Sequence, residues 1–205
     1  MAAGSARGVF HRPETANGDA FVLTHGAGSN ADAPLLVRMA NALAAAGYLV
    51  MRYNLPFRLE RPKGPPFPAQ AARDRQGVAR AVAEARDEVS GRVFAAGHSY
   101  GGRQSAMTAA ESPGLVDGLL LFSYPLHPPR KPAEKRTAFF PQWKAPALFV
   151  HGTADPFGSI EELREAIALI PARTDILPVE GAGHDLRRAP DLAVEIVERF
   201  RAVVE

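Results

Sequence analysis

The sequence predicts an α/β fold: a three-layer α/β/α sandwich built on a mostly parallel, twisted sheet. Short continuous apolar runs, typical of strands buried on both faces, alternate along the chain with longer runs whose apolar residues recur at helical spacing. This alternation requires helices on both faces of the sheet, joined by right-handed crossovers. Four of the apolar runs end in loops rich in glycine and polar residues. In such sheets, reactive groups collect beyond the carboxyl ends of the strands.

Composition limits the domain count and the class of protein. The chain has 205 residues, 46% of them hydrophobic, which suffices for one core, so we expect a single domain over residues 1–205. Lys and Arg number 24 against 22 Asp and Glu, a balance that does not favour nucleic-acid binding. Cysteine is absent, which excludes disulfides and a thiol nucleophile. Residues 1–7 lack the apolar segment of a signal peptide, and no apolar run approaches the roughly 18 residues of a membrane span, so we expect a cytoplasmic protein without a membrane span.

The predicted elements follow one another with short connections. The strands are expected at residues 8–10 (a weak edge strand), 20–24, 48–53, 93–96, 119–123, 147–151 and 174–179. The helices are expected at residues 33–46, 70–89, 103–111, 160–170 and 190–203.

Several helix ends carry their own signals. Asp32 is the expected N-cap of the first helix, and Pro34 fits its first turn. Ser159 and Glu162 have the spacing of a capping box. Pro190 is expected to start the last helix.

Two segments, residues 54–68 and 124–146, contain 11 of the 18 prolines. Proline disfavours helix interiors, so we expect extended loops without a helical lid and a site that is open or covered only by loops. We expect the aromatic residues of the second segment to dock it by burial, with the lining of an acyl pocket as the alternative; they are Phe139, Phe140 and Trp143. The basic residues of both segments predict a solvated surface, with steering of anionic substrates as the alternative; they are Arg58, Arg61, Lys63, Arg130, Lys131, Lys135 and Arg136.

Residues 97–102 read Gly-His-Ser-Tyr-Gly-Gly and stand between a predicted strand and a predicted helix. This is the G-x-S-x-G pattern of a nucleophile elbow, in which a tight turn lifts the serine above the sheet. Such a turn forces Ser99 into a strained conformation, and Gly97 and Gly101 remove the collisions that larger side chains would make.

The other strand-end loops supply an acid and a base in the order Ser, Asp, His. Ser99 needs a base near neutral pH, and His184 suits that role. Asp155 would orient the imidazole and stabilise its charged form. Asp185 is a rival, but it neighbours His184 in sequence and should point elsewhere. Asp117 precedes its strand and should lie at the opposite edge of the sheet.

An oxyanion formed by this attack needs preset donors. The backbone N–H of Tyr100, directly after the nucleophile, is the first candidate, and that of Ala27 is the second, with Gly28 as its alternative. Gly26, Gly28, His98 and Tyr124 are predicted to line the substrate pocket, although Tyr124 fits a core position equally well.

Histidines 25, 98 and 151 also stand at strand ends, but no pair has metal-ligand spacing at i, i+2 or i, i+4. We therefore expect no metal site, and we assign these side chains to hydrogen bonds within the loops. No phosphate-binding or dinucleotide-binding pattern is present, and no cofactor is expected.

Taken together, the motifs at residues 24–28, 97–102, 151–155 and 183–184 make the chain resemble the α/β-hydrolase superfamily over nearly its whole length. Within it, the chain resembles the compact dienelactone-hydrolase-like branch that lacks a cap domain. The resemblance implies Ser99 as nucleophile, Asp155 as acid and His184 as base. The family's N-terminal antiparallel strands are shortened here to little more than residues 7–12, and the usual cap insertion is missing.

These features favour a serine hydrolase of the carboxylesterase type, with a small-molecule acyl substrate. A thioesterase, an amidase and a peptidase use the same machinery and remain alternatives, because fold and triad do not choose among them. A non-catalytic interaction module on the same fold is the alternative from another class. The sequence leaves the oligomeric state open.

Overall fold

The computed structural model describes residues 8–187 and 189–205, and its centre is a seven-stranded sheet. The strands are Val9–His11 (β1), Ala20–Thr24 (β2), Leu49–Tyr53 (β3), Val93–His98 (β4), Leu119–Phe122 (β5), Ala147–Gly152 (β6) and Thr174–Val179 (β7). The α-helices are Pro34–Ala45 (α1), Pro56–Glu60 (α2), Ala71–Arg86 (α3), Tyr100–Glu111 (α4), Ile160–Ile167 (α5) and Ala193–Val204 (α6). Short 3₁₀ turns lie at Pro68–Gln70, Phe140–Gln142 and Ala189–Leu192.

The strand order is β1-β3-β2-β4-β5-β6-β7, and only the short edge strand β1 runs antiparallel to its neighbour. The chain passes from β2 outward to β3 and then returns across β2 to β4. The order therefore reverses between β2 and β4, and a crevice opens at their carboxyl ends where such sheets bind ligands. The loop after β2 and the Ser99 turn after β4 flank this crevice.

Successive strand residues point to opposite faces of the sheet, and this divides the core into two layers. Val22 and Ala95 face one layer, which packs against α3, α4 and α5. Phe21 and Phe94 face the other layer, which packs against α1 and α6. Both layers are buried, so the predicted three-layer sandwich is confirmed.

The Ser159 capping box is present: the hydroxyl accepts from the backbone N–H of Glu162, whose carboxylate accepts from that of Ser159. The predicted N-cap at Asp32 is wrong. Ala33 occupies that position and makes no capping hydrogen bond. Asp32 instead accepts from Arg52, whose side chain is 7% exposed, at 3.0 Å. A buried cation on a neighbouring strand therefore takes the carboxylate that the sequence pattern assigned to the helix.

The prolines of residues 54–68 do not keep the whole segment extended. Pro56 occupies the first turn of α2, where its missing N–H costs no hydrogen bond. The last α-helix begins at Ala193 and not at Pro190, because a 3₁₀ turn precedes it. Residues 124–146 contain only a three-residue 3₁₀ turn, as expected of a segment without a helical lid.

The aromatic residues of residues 124–146 dock that segment, as predicted. Phe140 and Trp143 are fully buried, and their rings lie edge to face with centroids 5.6 Å apart. Tyr124 belongs to the same cluster: its ring is 1% exposed, and its hydroxyl donates to the carbonyl of Arg136 at 2.9 Å. The segment is therefore fixed to the body of the domain.

Candidate functional site

Ser99 lies on the sharp turn between β4 and α4, with φ of 50° and ψ of −116°. A serine rarely adopts a positive φ, and such strain persists only where the surroundings enforce it. The two glycines act as predicted. A Cβ at Gly97 would lie 2.6 Å from the backbone nitrogen of Gly102, and one at Gly101 would lie 2.5 Å from the carbonyl oxygen of His25. The turn therefore depends on bare backbone on both sides of Ser99.

The structure brings Ser99, His184 and Asp155 together at this edge of the sheet. The Ser99 hydroxyl lies 2.8 Å from Nε2 of His184. Nδ1 of the same ring lies 2.8 Å from Oδ2 and 3.0 Å from Oδ1 of Asp155. If Nδ1–H donates to the carboxylate, Nε2 is free to accept the serine proton, which is the tautomer that a general base needs.

Asp155 is the buried member of this group. Burial by itself raises the pKa of its carboxyl, but the hydrogen bond from His184, its charge interaction and the backbone N–H of Phe157 outweigh this effect. The net result is a pKa below the ordinary value, so the carboxylate is ionised at neutral pH. A fixed negative charge therefore faces the imidazole.

The loop that carries His184 is held on three sides. His98 donates from Nε2 to the carbonyl of His184 at 2.8 Å. The ring of Phe157 lies against the imidazole, with centroids 4.1 Å apart. Gly181 adopts a φ of 65°, a conformation that glycine takes without strain and that bends this loop. The imidazole of His184 is thus oriented by three contacts: His98 at its backbone carbonyl, Phe157 on one face of the ring, and Asp155 at Nδ1.

Both predicted oxyanion donors lie beside Ser99. Ala27 and Tyr100 line the same cavity as the serine, and Tyr100 stands in the first turn of α4, where N–H groups lack helical acceptors. Neither backbone N–H has an acceptor within residues 8–187 and 189–205. Gly26 brings the loop close, since a Cβ there would lie 2.9 Å from Nδ1 of His98.

Two side chains fix the shape of the loop that follows β2. His25 donates to the carbonyl of Gly26 at 2.9 Å and accepts from the N–H of Leu55 at 3.2 Å. Burial, as the main cause, lowers the pKa of His25 to about 4, so its ring is neutral. The predicted role of the strand-end histidines in loop hydrogen bonds is confirmed here and at His151, which donates to the carbonyl of Gly158.

Arg58 corrects the prediction of a solvated surface for the basic residues. It is 6% exposed and donates four hydrogen bonds to backbone carbonyls. The acceptors are Ala27 at 2.8 Å, Ser29 at 2.7 Å, Arg61 at 3.0 Å and Gly64 at 3.0 Å. The guanidinium therefore ties the loop of Ala27 to the proline-rich segment. Sequence reasoning missed this role because only the fold brings these carbonyls around one side chain.

Asp74, on α3, is a second buried group that the sequence did not single out. It accepts from the hydroxyl of Tyr100 at 2.7 Å and from the N–H of Phe57 at 3.0 Å. Burial is the largest influence on its carboxyl and raises its pKa. The contact holds Tyr100, the residue after Ser99, against α3 and the start of α2.

A cavity of about 470 Å³ opens beside Ser99. Its lining differs from the predicted pocket. The lining residues are Ala27, Pro65, Pro66, Phe67, Pro68, Ala71, Ser99, Tyr100, Arg103, Pro125, Arg136 and Phe157. The four predicted pocket residues are not among them. Gly26 packs on His98, which holds the His184 loop; Tyr124 is in the core; a Cβ at Gly28 would meet no atom within 4 Å.

The rival residues lie apart from this arrangement. Asp185 is exposed and pairs with Arg187. Asp117 accepts from the N–H of Val93 at the start of β4, at the opposite edge of the sheet as predicted. No group of three or more His, Asp or Glu side chains in the described part of the chain is arranged to hold a metal ion. None of the described helices combines the length and apolarity that a membrane crossing requires.

Known structures share this architecture. An α/β serine hydrolase homologue from Coxiella burnetii is 18% identical, with 94% of this chain and 90% of that chain covered and a TM-score of 0.76. A dienelactone hydrolase from Anabaena variabilis is 20% identical, with 94% and 91% covered and a TM-score of 0.71. A monoacylglycerol lipase from Paleococcus ferrophilus is 18% identical, with 96% and 99% covered and a TM-score of 0.73. At these identities the likeness establishes the fold.

A protein-family model described as an alpha/beta hydrolase domain matches residues 17–204. This match spans the sheet from β2 onward, the turn of Ser99 and the loops of Asp155 and His184. It agrees with the superfamily that the sequence motifs resemble and with the folds of the similar structures. The chain therefore belongs to the alpha/beta hydrolase family.

Proposed function

We propose that the protein is a serine hydrolase of the carboxylesterase type, with Ser99 as nucleophile, His184 as general base and Asp155 as the acid that orients it. One observation carries the proposal: a continuous hydrogen-bonded path of 2.8 Å contacts runs from the Ser99 hydroxyl through His184 to Asp155. The serine end of this path lies in a cavity lined by Ala27 and Tyr100, whose backbone N–H groups donate to no acceptor in the part of the chain that the structure describes.

The chemistry follows from this order of contacts. As the Ser99 oxygen attacks an ester carbonyl, its proton passes to Nε2 of His184, and Asp155 stabilises the imidazolium. The carbonyl oxygen becomes an oxyanion, which the N–H groups of Ala27 and Tyr100 stabilise. His184 then returns the proton to the departing alkoxide, leaving an acyl-enzyme on Ser99. A water molecule then gives a proton to the same imidazole and attacks the acyl carbonyl, forming a second oxyanion. As that oxyanion collapses, the bond to the Ser99 oxygen breaks and His184 returns the proton to it, which frees the acid and restores the Ser99 hydroxyl.

Turnover of short para-nitrophenyl esters by wild type and by the Ser99→Ala variant tests the proposal. We expect ester turnover in the wild type and a loss of about 10⁴-fold or more in kcat in the variant, because the attacking oxygen is gone. Ser112→Ala is the matched control, since this exposed serine stands at the other end of α4. Equal turnover in wild type and Ser99→Ala would contradict the proposal.

The same assay separates the chemical classes of substrate. An acyl-CoA and a peptide para-nitroanilide replace the ester at matched acyl length. We expect a higher kcat/KM for the ester than for the anilide, because a phenolate leaves more readily than an anilide nitrogen, which His184 must protonate as it departs. We also expect the ester to exceed the acyl-CoA, which is the outcome that the carboxylesterase assignment requires. A higher value for the thioester or the anilide would reassign the substrate class and leave the roles of the three residues intact.

A further inference from the structure

Two arginine side chains, Arg103 and Arg136, line the cavity beside Ser99, which is otherwise mostly apolar. Both also border an adjoining cavity of about 430 Å³, where Lys135 joins them. The boundary between the two cavities is therefore cationic. No Asp or Glu side chain lines either cavity.

Arg103 is positioned by the helix of the nucleophile. It stands four residues after Ser99, and its backbone N–H donates to the carbonyl of Ser99 at 2.9 Å. Residues four apart lie on the same helix face, about 6 Å from each other along the axis. Arg103 is therefore one turn from the nucleophile and on the same side of α4.

Arg136 is positioned by the segment of residues 124–146. Its backbone N–H donates to the carbonyl of Leu126 at 2.7 Å, and its carbonyl accepts from the hydroxyl of Tyr124 at 2.9 Å. Its Nη1 donates to the carbonyl of Pro125 at 3.2 Å. The half-buried side chain is thus held at the cavity wall, with further N–H groups of the guanidinium left for another acceptor.

Neither arginine forms an ion pair with any of the described carboxylates. The nearby acids are already engaged: Glu134 pairs with Lys131 at 2.8 Å, and Glu165 with Lys135 at 3.6 Å. The Nε of Arg103 is buried without a hydrogen-bond partner. Burial, and next the charge of Arg103, lower the pKa of Arg136. Two neighbouring cations that repel each other and retain unused donors favour an anion between them.

We propose that Arg103 and Arg136 bind an anionic group, a carboxylate or a phosphate, carried by the ester that Ser99 cleaves. This inference rests on the function proposed above and specifies its substrate class. Guanidinium groups bind such anions through paired, charge-assisted hydrogen bonds, and an anion between the two side chains would also relieve their mutual repulsion. The distance of one helix turn from Ser99 places the ester a few bonds from the anion.

Substrate pairs of similar shape, in which one member carries a carboxylate and the other is neutral, test the proposal. The first pair, mono-para-nitrophenyl glutarate and para-nitrophenyl pentanoate, places the carboxylate on the acyl part. The second pair, the butyrate esters of para-hydroxybenzoate and para-hydroxyacetophenone, places it on the alcohol part. We expect the wild type to prefer the anionic member of at least one pair by about 10-fold or more in kcat/KM. Inhibition by glutarate and by inorganic phosphate then distinguishes a carboxylate site from a phosphate site.

The variants Arg103→Gln and Arg136→Gln assign the preference to these side chains. We expect each to lower kcat/KM for the preferred anionic ester about 10- to 100-fold and to change that of its neutral partner less than about 3-fold. Arg38→Gln is the charge-matched control, because Arg38 is exposed on α1, on the other face of the sheet. Wild-type values for that variant with all four esters exclude a general effect of net charge.

Two outcomes overturn the inference. In the first, the wild type shows no preference for either anionic ester. In the second, both arginine variants lose activity equally on charged and neutral esters, which indicates a structural role alone. In either case, the proposed serine-hydrolase function is still supported if the wild type hydrolyses the neutral esters and Ser99→Ala does not. If the wild type hydrolyses none of the four esters, the result contradicts the proposed function itself.

Discussion

Asp155 has no exposed side-chain surface, and both of its oxygens accept hydrogen bonds, from Nδ1 of His184 and from the N–H of Phe157. An isolated buried carboxylate is costly, so these donors are needed to keep the residue ionised in place. The role proposed for Asp155 is thus visible in its environment as well as in its distance to the imidazole.

Replacing Asp155 with Asn tests that role. An amide presents a donor as well as an acceptor to Nδ1, which favours the wrong tautomer of His184. We expect kcat for a para-nitrophenyl ester to fall by roughly 10³- to 10⁴-fold, with a smaller change in KM. Circular dichroism checks that the variant folds. A folded Asp155→Asn protein with wild-type kcat would contradict the role.

Arg58 holds the loop of Ala27, whose backbone N–H is one of the two proposed oxyanion donors, through the carbonyl of that residue. Its guanidinium donates to the carbonyls of Ala27 and Ser29 on one side and of Arg61 and Gly64 on the other. We expect Arg58→Met to lower the free energy of unfolding by about 2 kcal/mol or more, because buried carbonyls lose their partners. We also expect kcat to fall more than KM rises, since the oxyanion forms only in the transition state.

Arg58→Lys is the informative companion to that variant. It keeps the charge but supplies a single donor group in place of the planar fork. Denaturant unfolding and steady-state kinetics measure the two effects separately. If both variants lower stability while kcat stays at the wild-type value, Arg58 has a structural role only.

At the scale of elements, the first turn of α4 presses directly on the end of β2. A methyl group at Gly101 would meet the carbonyl oxygen of His25 at 2.5 Å and a methyl of Thr24 at 2.8 Å. The atoms that such a methyl group would meet belong to the backbone and to buried residues of β2 and its loop, which have little room to shift. Any larger side chain at this position would therefore push α4, and with it the Ser99 turn, away from β2.

We therefore expect Gly101→Ala to lower the melting temperature by several degrees, through overpacking that costs about 1–3 kcal/mol. Gly28→Ala is the comparison for stability. Its added methyl would meet no atom within 4 Å, and its melting temperature should match the wild type. Equal melting temperatures for all three proteins, measured by calorimetry, would show that the contact at Gly101 is not a tight one.

The sequence predicted elements well where the signal is local. The apolar run at residues 174–179 coincides with β7, and the Ser159 capping box starts α5, because both patterns act within a few residues. Asp32 was misassigned because its partner, Arg52, is distant in sequence. The helix at Pro56 was missed because a proline-rich run hides a proline that occupies a first turn.

At the scale of the whole molecule, the carboxyl edge of the sheet holds three histidines with lowered pKa values: His25 and His151, which are buried, and His98, which is half-buried. Burial is the largest cause in each case. They stay neutral in the folded protein, whereas the unfolded chain binds protons below about pH 6.5. The stability present above about pH 6.5 is therefore lost progressively as the pH falls.

The size of this loss can be worked out for His25, because its pKa falls from 6.5 to about 4 in the folded protein. We expect it to remove roughly 3 kcal/mol from the free energy of unfolding between pH 6.5 and 4. Urea unfolding from pH 7 to 5 measures the slope for wild type and for His25→Gln. The variant should be less stable at pH 7 and have a shallower dependence on pH. Identical slopes would contradict this assignment.

Much of the whole arrangement follows from chain order. Alternating strands and helices predict the parallel sheet, and parallel strands bring their carboxyl-end loops to one edge, so Ser99, Asp155 and His184 were assigned from sequence. The cavity was not. Its walls come from residues 65–68, 125 and 136, whose placement depends on how the two proline-rich segments dock, and the pairing of Arg103 with Arg136 depends on that docking as well.

The central claim is that Ser99 is an activated nucleophile, and reaction with a fluorophosphonate probe measures this most directly. The probe forms a covalent bond with a serine hydroxyl that a neighbouring base deprotonates. We predict one adduct per chain, mapped to Ser99 by mass spectrometry of peptides, and no labelling of folded Ser99→Ala. Labelling of that variant at the wild-type rate, or a folded wild type that does not react, would contradict the account.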